Sequence, residues 1–249
     1  MALELEPDPT QARPALPLLE VSGLDVNYGK RQVIFGLSMQ VRAGEVVALL
    51  GHNGAGKTTL LKAIFGLIRP RAGSVRFGGE EAARRNNADS VKAGLSFTPA
   101  EAAVFRDLSV HDNLELGAFS VASRLLRQER IDTVTRLFPA LRERQRQAAG
   151  TLSGGQQRML SIGMALMSGP KMMLLDEPSL GLTPALAQQM LEEVRRLATD
   201  EGLAILLVEQ NVRAALRVAG RAYFMRMGRI LLEESAEVML ARDKWWDLF

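Results

Sequence analysis

Short, continuous apolar runs alternate along this chain with longer segments in which apolar residues recur at helical spacing. Three runs, at 45–51 (EVVALLG), 171–177 (KMMLLDE) and 203–209 (LAILLVE), have the length of strands. Runs that are apolar at nearly every position are typical of strands buried on both faces of a parallel sheet. Buried strands that alternate with helices indicate an α/β fold with helices on both faces of the sheet. The helices are predicted at about 57–67, 184–199 and 211–219.

Other segments predict additions to this parallel sheet. Three glycine-bounded segments with strand character, 18–29, 33–44 and 73–79, are expected to form short antiparallel strands. Residues 109–146 have mostly helical periodicity and are predicted to form a separate helical lobe. Two more strand-like pieces, at 222–228 and 229–234, precede a helical C-terminus. The predicted fold is a mostly parallel sheet with an antiparallel β subdomain and a helical lobe.

The domain boundaries follow from the same pattern. Residues 1–17 contain four prolines and few large apolar groups, which indicates a disordered tail. The rest of the chain, 18–249, is predicted to be one domain. Within it we expect a core made of 18–99 and 156–235, a helical lobe at about 100–155 and a C-terminal helix at about 236–249.

Composition narrows the classes of function. The 249 residues are 47% hydrophobic and 24% charged, as in ordinary globular proteins. There is no cysteine and there are only two histidines, which excludes disulfides, thiolate metal sites and histidine-rich metal sites. The chain carries no secretory signal and no apolar run near the roughly 18 residues of a membrane span, so we expect a cytoplasmic location. The net charge of +3 is weak evidence for nucleic-acid binding, and no nucleic-acid partner is predicted.

A glycine-rich loop supplies the first candidate chemistry. Residues 51–58, GHNGAGKT, match G-x-x-x-x-G-K-[ST] and lie between a buried strand and a helix. In such a loop the backbone amides point at phosphate oxygens, and the following helix directs its positive end at the same anion. Lys57 is predicted to reach the β and γ phosphates of ATP, and the Thr58 hydroxyl to ligate Mg²⁺. The loop therefore predicts a P-loop NTPase. The predicted ATP contacts are Gly51, Asn53, Gly54, Ala55, Gly56, Lys57, Thr58 and Thr59.

A second acidic element completes the candidate site. The strand 172–177, MMLLDE, ends in Asp176 and Glu177. Carboxylates at the end of a buried strand open at the edge of the sheet where ligands bind. Asp176 is suited to hold Mg²⁺ through water, and Glu177 to orient or deprotonate an attacking water. The predicted catalytic residues are accordingly Glu177 and Lys57, and the predicted metal ligands are Thr58 and Asp176.

The stretch 152–160, LSGGQQRML, resembles the LSGGQ motif of ATP-binding-cassette ATPases. With the phosphate loop and the strand ending in Asp-Glu, this resemblance covers residues 18 to about 249, and it implies the RecA-like form of the P-loop NTPase fold. It implies that two chains pack head to tail and trap two ATP molecules between them. It also implies that the residues of the motif contact the ATP of the partner subunit. In this sequence those residues are Ser153, Gly154, Gly155 and Gln156.

Two further positions take their roles from the same resemblance. Tyr28 matches the aromatic residue that stacks on adenine, and the alternative for it is a half-buried strand tyrosine. Gln210 stands where most of the family has the histidine that contacts the γ-phosphate, so we predict a catalytic role for it. Residues 179–181 match a loop that crosses the dimer interface.

The combination of LSGGQQRML, DEPSLGL and LLVEQN is similar to the second ATPase of branched-chain amino-acid importers, with close relatives for urea and short-chain amides. The resemblance implies an ATPase that powers such an importer, peripheral on the cytoplasmic face of the inner membrane. Its partners would be transmembrane permease subunits and a second cassette, as a homodimer or heterodimer. Contact with the membrane would run only through the permease. An exporter ATPase or a soluble ATPase of the same superfamily are the alternatives.

Two positions depart from the family pattern. Ala100 stands where a glutamine, or a glutamate in this subgroup, couples ATP to the permease, and alanine has no ligand atom. Met164 stands where an arginine is usual. We expect ATP binding to be intact and hydrolysis to be present but slow or differently coupled. The alternative is a degenerate or ATP-sensing cassette paired with a more active partner ATPase.

Overall fold

The computed structural model describes residues 16–83 and 85–242, and its strands form two sheets. The predictions of a tail at 1–17 and of a C-terminal helix to 249 fall largely outside the described residues and stay predictions. The strands are, in chain order, β1 (Leu19–Tyr28), β2 (Arg31–Val41), β3 (Val46–Leu50), β4 (Ala72–Phe77), β5 (Glu80–Glu81), β6 (Leu95–Thr98), β7 (Met172–Asp176), β8 (Ala204–Val208), β9 (Arg221–Arg226) and β10 (Arg229–Ser235).

Nine α-helices lie in the described ranges, together with a short 3-10 helix, Ala149–Thr151. Most of them begin at a residue whose side chain accepts a hydrogen bond from the backbone of the first turn, as at Ser109, Ser123 and Thr183. The helices are α1 (Lys57–Phe65), α2 (Asn87–Ala93), α3 (Val110–Gly117), α4 (Arg124–Leu137), α5 (Pro139–Arg142), α6 (Gly154–Leu166), α7 (Pro184–Glu201), α8 (Val212–Val218) and α9 (Ala236–Leu240).

The larger sheet has six strands in the order β10-β9-β3-β8-β7-β6. All neighbours pair in parallel except β10, which pairs antiparallel with β9. Strands β3, β7 and β8 are buried at every position, because helices or the second sheet cover both faces. The predicted α/β fold with a mostly parallel sheet is confirmed. Since the strands run in parallel, the ends of β3, β6, β7 and β8 all open at one edge of the sheet.

The smaller sheet is antiparallel, in the order β2-β1-β4-β5. The sequence pattern predicted its three longer strands, and the prediction is confirmed by the antiparallel pairing of β1 with β2 and β4. The pattern did not predict α2 or β5, which are short and polar. Only Ser90 is buried in α2, so this helix has no apolar periodicity to detect.

Two hydrophobic cores lie on opposite faces of the larger sheet. In β3, Ala48 and Leu50 face one core, and Val47 and Leu49 face the other. The first core includes side chains of α3, α4, α6, α7 and α8. The second includes α1 and the antiparallel sheet. The alternation of side chains along β3 thus places the helical lobe (here α3, α4 and α5) and the antiparallel sheet on opposite sides.

The helical lobe packs closely on α6. A Cβ atom built on Gly117 of α3 would lie 2.4 Å from the carbonyl oxygen of Met164 in α6. Gly163 lies beside the side chains of Val134 and Leu114, which belong to the lobe. Small residues let helix backbones approach this closely because no side chain separates them. Met164, one of the two departures from the family pattern, is half-buried at this contact.

None of the helices that the structure describes combines the length and hydropathy needed to cross a bilayer.

Candidate nucleotide site

The phosphate loop (residues 51–58) connects the end of β3 to α1, and two of its glycines are required by geometry. Gly51 has φ +152°, and a Cβ there would lie 2.1 Å from the carbonyl oxygen of Met225. Gly56, the N-cap of α1, has φ +106°, and a Cβ there would lie 2.9 Å from Ile34 Cδ1. Both conformations strongly favour glycine, so the pattern of the motif follows from the shape of the loop.

The Lys57 side chain folds back over this loop. Its ammonium group donates to the carbonyl oxygens of Gly51, at 2.7 Å, and of His52, at 3.0 Å. Burial lowers the pKa of Lys57, and the nearby carboxylates of Glu177 and Asp176 oppose that shift. A cation held at this position, with acidic groups opposite, is placed to stabilise negative charge that enters the loop.

Asp176 ends β7 and is only 2% exposed. Burial raises the pKa of Asp176, while a hydrogen bond with the Thr58 side chain and the charge of Lys57 act in the other direction. Its Oδ1 atom is buried without a hydrogen-bond partner among the described residues. A carboxylate oxygen buried without a donor suits a cation. The pair of Thr58 and Asp176 therefore fits Mg²⁺, which is bound by a few protein oxygens together with water and phosphate.

Glu177 follows in a strained conformation, with φ +49°. Its amide donates to the carbonyl oxygen of Val208 at 2.9 Å, which anchors it to the neighbouring strand β8. Its Oε2 atom accepts a hydrogen bond from Nε2 of Gln210 at 2.7 Å. Non-glycine residues at positive φ are uncommon and concentrate at functional sites. The geometry holds the carboxylate of Glu177 at the sheet edge from two sides.

An open cleft of about 920 Å³ joins these groups. Tyr28, which is 53% exposed at the end of β1, lines it together with the phosphate loop. Ala100 also lines the cleft, and its side chain is a methyl group. Of the residues predicted from the sequence, the cleft brings together Tyr28, Asn53, Gly54, Gly56, Lys57, Thr58, Thr59, Glu177 and Gln210.

Six residues line the cleft that sequence reasoning missed. Arg31, Gln32, Val33 and Phe35 lie at the start of β2, in the hairpin that follows Tyr28. Their nearness to Tyr28 in the chain is a signal that could have found them. Met227 and Gly228 come from the turn between β9 and β10, and no local signal points to them.

The LSGGQ motif lies elsewhere. Ser153 caps α6, with its Oγ accepting from the Gln156 amide and the Gln156 side chain accepting from the Ser153 amide. Gly154 is exposed, and a Cβ there would meet nothing within 4 Å. None of Ser153, Gly154, Gly155 and Gln156 lines the cleft. Their assignment to the ATP of another chain stays a prediction.

Comparisons with known proteins agree with this architecture. A family profile described as "ABC transporter" matches residues 34–180, more than half of the chain. The chain belongs to the ABC transporter family. Among the relatives in this family is the high-affinity branched-chain amino acid transport ATP-binding protein BraG of Pseudomonas aeruginosa, 41% identical over 93% of this chain and 99% of that protein. Family membership confirms the prediction of a transport ATPase.

Other members of the family are more distant. A probable branched-chain amino acid transport ATP-binding protein, LivF of Archaeoglobus fulgidus, is 34% identical over 92% of this chain and 96% of that protein. The lipopolysaccharide export system ATP-binding protein LptB of Escherichia coli is 34% identical over 86% and 88%.

Solved structures show the same fold. MJ1267, an ATP-binding cassette of an ABC transporter, has a TM-score of 0.82 at 26% identity and covers 94% of this chain and 99% of its own. The cassette MJ0796, described as dimeric and bound to ADP and Pi after hydrolysis, has a TM-score of 0.78 at 20% identity. It covers 88% of this chain and 98% of its own, and it shows the fold alone.

Proposed function

We propose that the chain hydrolyses ATP in this cleft to power an importer of branched-chain amino acids or related polar solutes. The observation that carries the catalytic part is the hydrogen bond of 2.7 Å between Gln210 and Glu177, in the cleft that Lys57 also lines. The names of BraG and LivF support the class of solute. The exporter ATPase LptB of Escherichia coli is less similar than BraG, which favours import.

In this proposal the phosphates of ATP lie on the amides of residues 51–59, and the ammonium of Lys57 faces the β and γ phosphates. Adenine stacks on Tyr28 at the other end of the cleft, where an exposed aromatic ring offers a flat apolar face. This arrangement uses the positive end of α1 for the anion and the β1–β2 hairpin for the base.

Thr58 and Asp176 would hold Mg²⁺, with Asp176 acting through water. When bound, Mg²⁺ neutralises part of the charge on the phosphate oxygens. The unpartnered Oδ1 of Asp176 supports this assignment, since it is an acceptor without a donor in a buried position.

Glu177 orients and deprotonates the water that attacks the γ-phosphate, and ADP and phosphate are the products. Gln210 donates to the carboxylate from one side, which leaves the other oxygen of Glu177 to face the water. An amide cannot change its charge near neutral pH, so Gln210 contributes by position and hydrogen bonding.

The proposed transporter needs two kinds of partner for this chain, a second cassette and permease subunits. A second cassette, identical to this chain or a paralogue, would place its own Ser153, Gly154, Gly155 and Gln156 equivalents against the ATP bound here. The position of these four residues outside the cleft of their own chain supports such pairing. Permease subunits would dock beside the helical lobe, where Phe105, Leu116 and Phe119 expose apolar side chains. The chain would then sit at the cytoplasmic face of the membrane without entering it.

The test is Mg²⁺-dependent ATP turnover of the purified chain beside Glu177→Gln. We expect clear turnover that the substitution abolishes while ATP still binds. Uptake of radiolabelled leucine and urea, in cells that carry either version as their sole copy, checks the solute. Leucine uptake that Glu177→Gln abolishes supports the proposal, and urea uptake alone refutes the assignment to amino acids.

A second candidate rests on Ala100, whose methyl group lines the cleft where a ligand side chain is expected. On that view the chain binds ATP and senses it while a partner cassette hydrolyses. ATP binding without turnover, alone and in the presence of the partner and permease, would favour this candidate.

A further inference from the structure

Arg158 is a buried arginine on the second turn of α6 and is only 8% exposed. Its Nη1 atom donates to the carbonyl oxygen of Ala100 and, at 3.3 Å, to that of Glu177. Its Nη2 atom donates to the carbonyl oxygen of Leu180 at 3.2 Å. One guanidinium therefore joins two segments at the sheet edge, the one that follows β6 and the one that follows β7.

A buried carboxylate balances this cation. Glu209, directly after β8, is 2% exposed and accepts a hydrogen bond from the Ser179 amide at 2.9 Å. Burial raises the pKa of Glu209, and hydrogen bonds from Ser179 oppose that shift. Burial likewise lowers the pKa of Arg158, and the charge of Glu209 is the strongest influence against it. The segment 177–180 is thus held by a cation on one side and an anion on the other.

The planar guanidinium suits this task because its donors point in fixed directions and it stays charged when buried. Each of its three acceptors is a main-chain oxygen. The bond to residue 100 therefore does not need a side chain there, and it is present although that residue is alanine.

The same helix carries the LSGGQ motif at its first turn. Ser153 and Gln156 form the capping box of α6, and Arg158 follows within the same continuous helix. Because an α-helix is rigid over two turns, a displacement of its N-terminus displaces the guanidinium as well. Through Arg158, that displacement reaches the backbone of Glu177, which is held at φ +49°.

We propose that Arg158 is a positioning residue for ATP hydrolysis, which ties α6 and the Ala100 segment to the backbone of Glu177. The inference rests on the proposed role of Glu177 as the base that activates water. Arg158 does not line the cleft, so its loss acts on the placement of Glu177 and leaves the contacts to the nucleotide in place.

The test compares Arg158→Gln and Arg158→Lys with the wild-type chain, and Arg195→Gln serves as the matched control. Arg195 is an exposed arginine of α7, outside the site. For each purified chain, kcat and KM for ATP, the Kd of a fluorescent ATP analogue and the melting temperature are measured. Arg158→Gln should lower kcat at least about tenfold with KM and Kd within about twofold. Arg195→Gln should match the wild type.

Arg158→Lys keeps the charge beside Glu209 but replaces the planar fork by a compact ammonium. We expect it to retain the melting temperature and to recover only part of kcat, which a purely structural role would not predict. If Arg158→Gln does not fold, the kcat and KM of Arg158→Lys test the proposal on their own. Wild-type kcat in a folded Arg158→Lys, or a matched rise of KM in either variant, would overturn the proposal.

Glu177→Gln is measured in parallel to separate the proposed role of Glu177 as the base from the proposed positioning role of Arg158. Turnover that survives Glu177→Gln would refute the proposed role of Glu177 itself. Turnover that Glu177→Gln abolishes but a folded Arg158→Gln retains would refute only the role of Arg158.

Discussion

The contact between α3 and α6 makes a quantitative prediction about Gly117. In Gly117→Ala the new Cβ would lie 2.4 Å from the carbonyl oxygen of Met164 and 2.9 Å from its Cα. These are backbone atoms, so no side-chain rotation relieves the overlap and the two helices must move apart by about 1 Å.

The magnitude follows from two opposing effects. Overpacking in a tight core costs about 1–3 kcal/mol. Alanine gains up to about 1 kcal/mol over glycine from helix propensity, and less at the end of a helix. The net destabilisation should be about 1–2 kcal/mol, which for a chain of this size lowers the melting temperature by about 2–8 °C.

Thermal unfolding of the nucleotide-free chain measures this effect, with Gly154→Ala as the control. Gly154 is the first residue of α6, the helix that Gly117 of α3 contacts, but a Cβ on Gly154 would meet no atom within 4 Å. Its melting temperature should therefore equal or exceed that of the wild type. A Gly117→Ala chain that melts at or above the wild-type temperature would refute the close helix contact.

Two further predictions concern the nucleotide site. Because burial raises the folded-state pKa of Asp176 above 3.8, its carboxyl group stabilises the fold when protonated, and that stability is lost as the pH rises through the raised pKa. Asp176→Asn should therefore raise the melting temperature of the nucleotide-free chain more near neutral pH than at pH values below about 3.8, and an equal gain in both ranges would contradict the shift. Tyr28→Ala should raise KM for ATP about tenfold while Tyr28→Phe leaves it near the wild-type value, because stacking needs the ring and not the hydroxyl. Steady-state kinetics that show equal KM in both variants would argue for a strand tyrosine without contact to adenine.

The elements of the fold were largely predictable because their signals are local. Strands β3, β7 and β8 are apolar at nearly every position, and each helix after them carries its own capping residue or glycine loop. The short elements α2 and β5 were missed because they bury almost nothing and so leave no periodic pattern. Short elements such as α2 and β5 depend on contacts with neighbouring segments, as in the pairing of β5 with β4.

The residues of the candidate site likewise fall into two groups, those predicted from local motifs and those whose contacts depend on the tertiary structure. The phosphate loop and the pair of Asp176 and Glu177 each occupy one continuous stretch of the chain, so the sequence alone predicts their chemistry. Gln210 was assigned from family resemblance, while its hydrogen bond to Glu177 depends on β7 and β8 being neighbours in the sheet. Arg158 escaped notice because its position on α6 gives no hint of the carbonyl groups that it meets.

The sequence by itself determined the phosphate loop, the acidic strand end and the LSGGQ motif, because short-range backbone geometry and side-chain chemistry suffice for them. Only the tertiary structure decided the order of the strands, the packing of Gly117 on α6 and the three carbonyl groups around Arg158. Those features join residues from tens to more than a hundred positions apart. Their geometry is set when the two cores close on either face of the sheet, and no local pattern records which distant residues then meet.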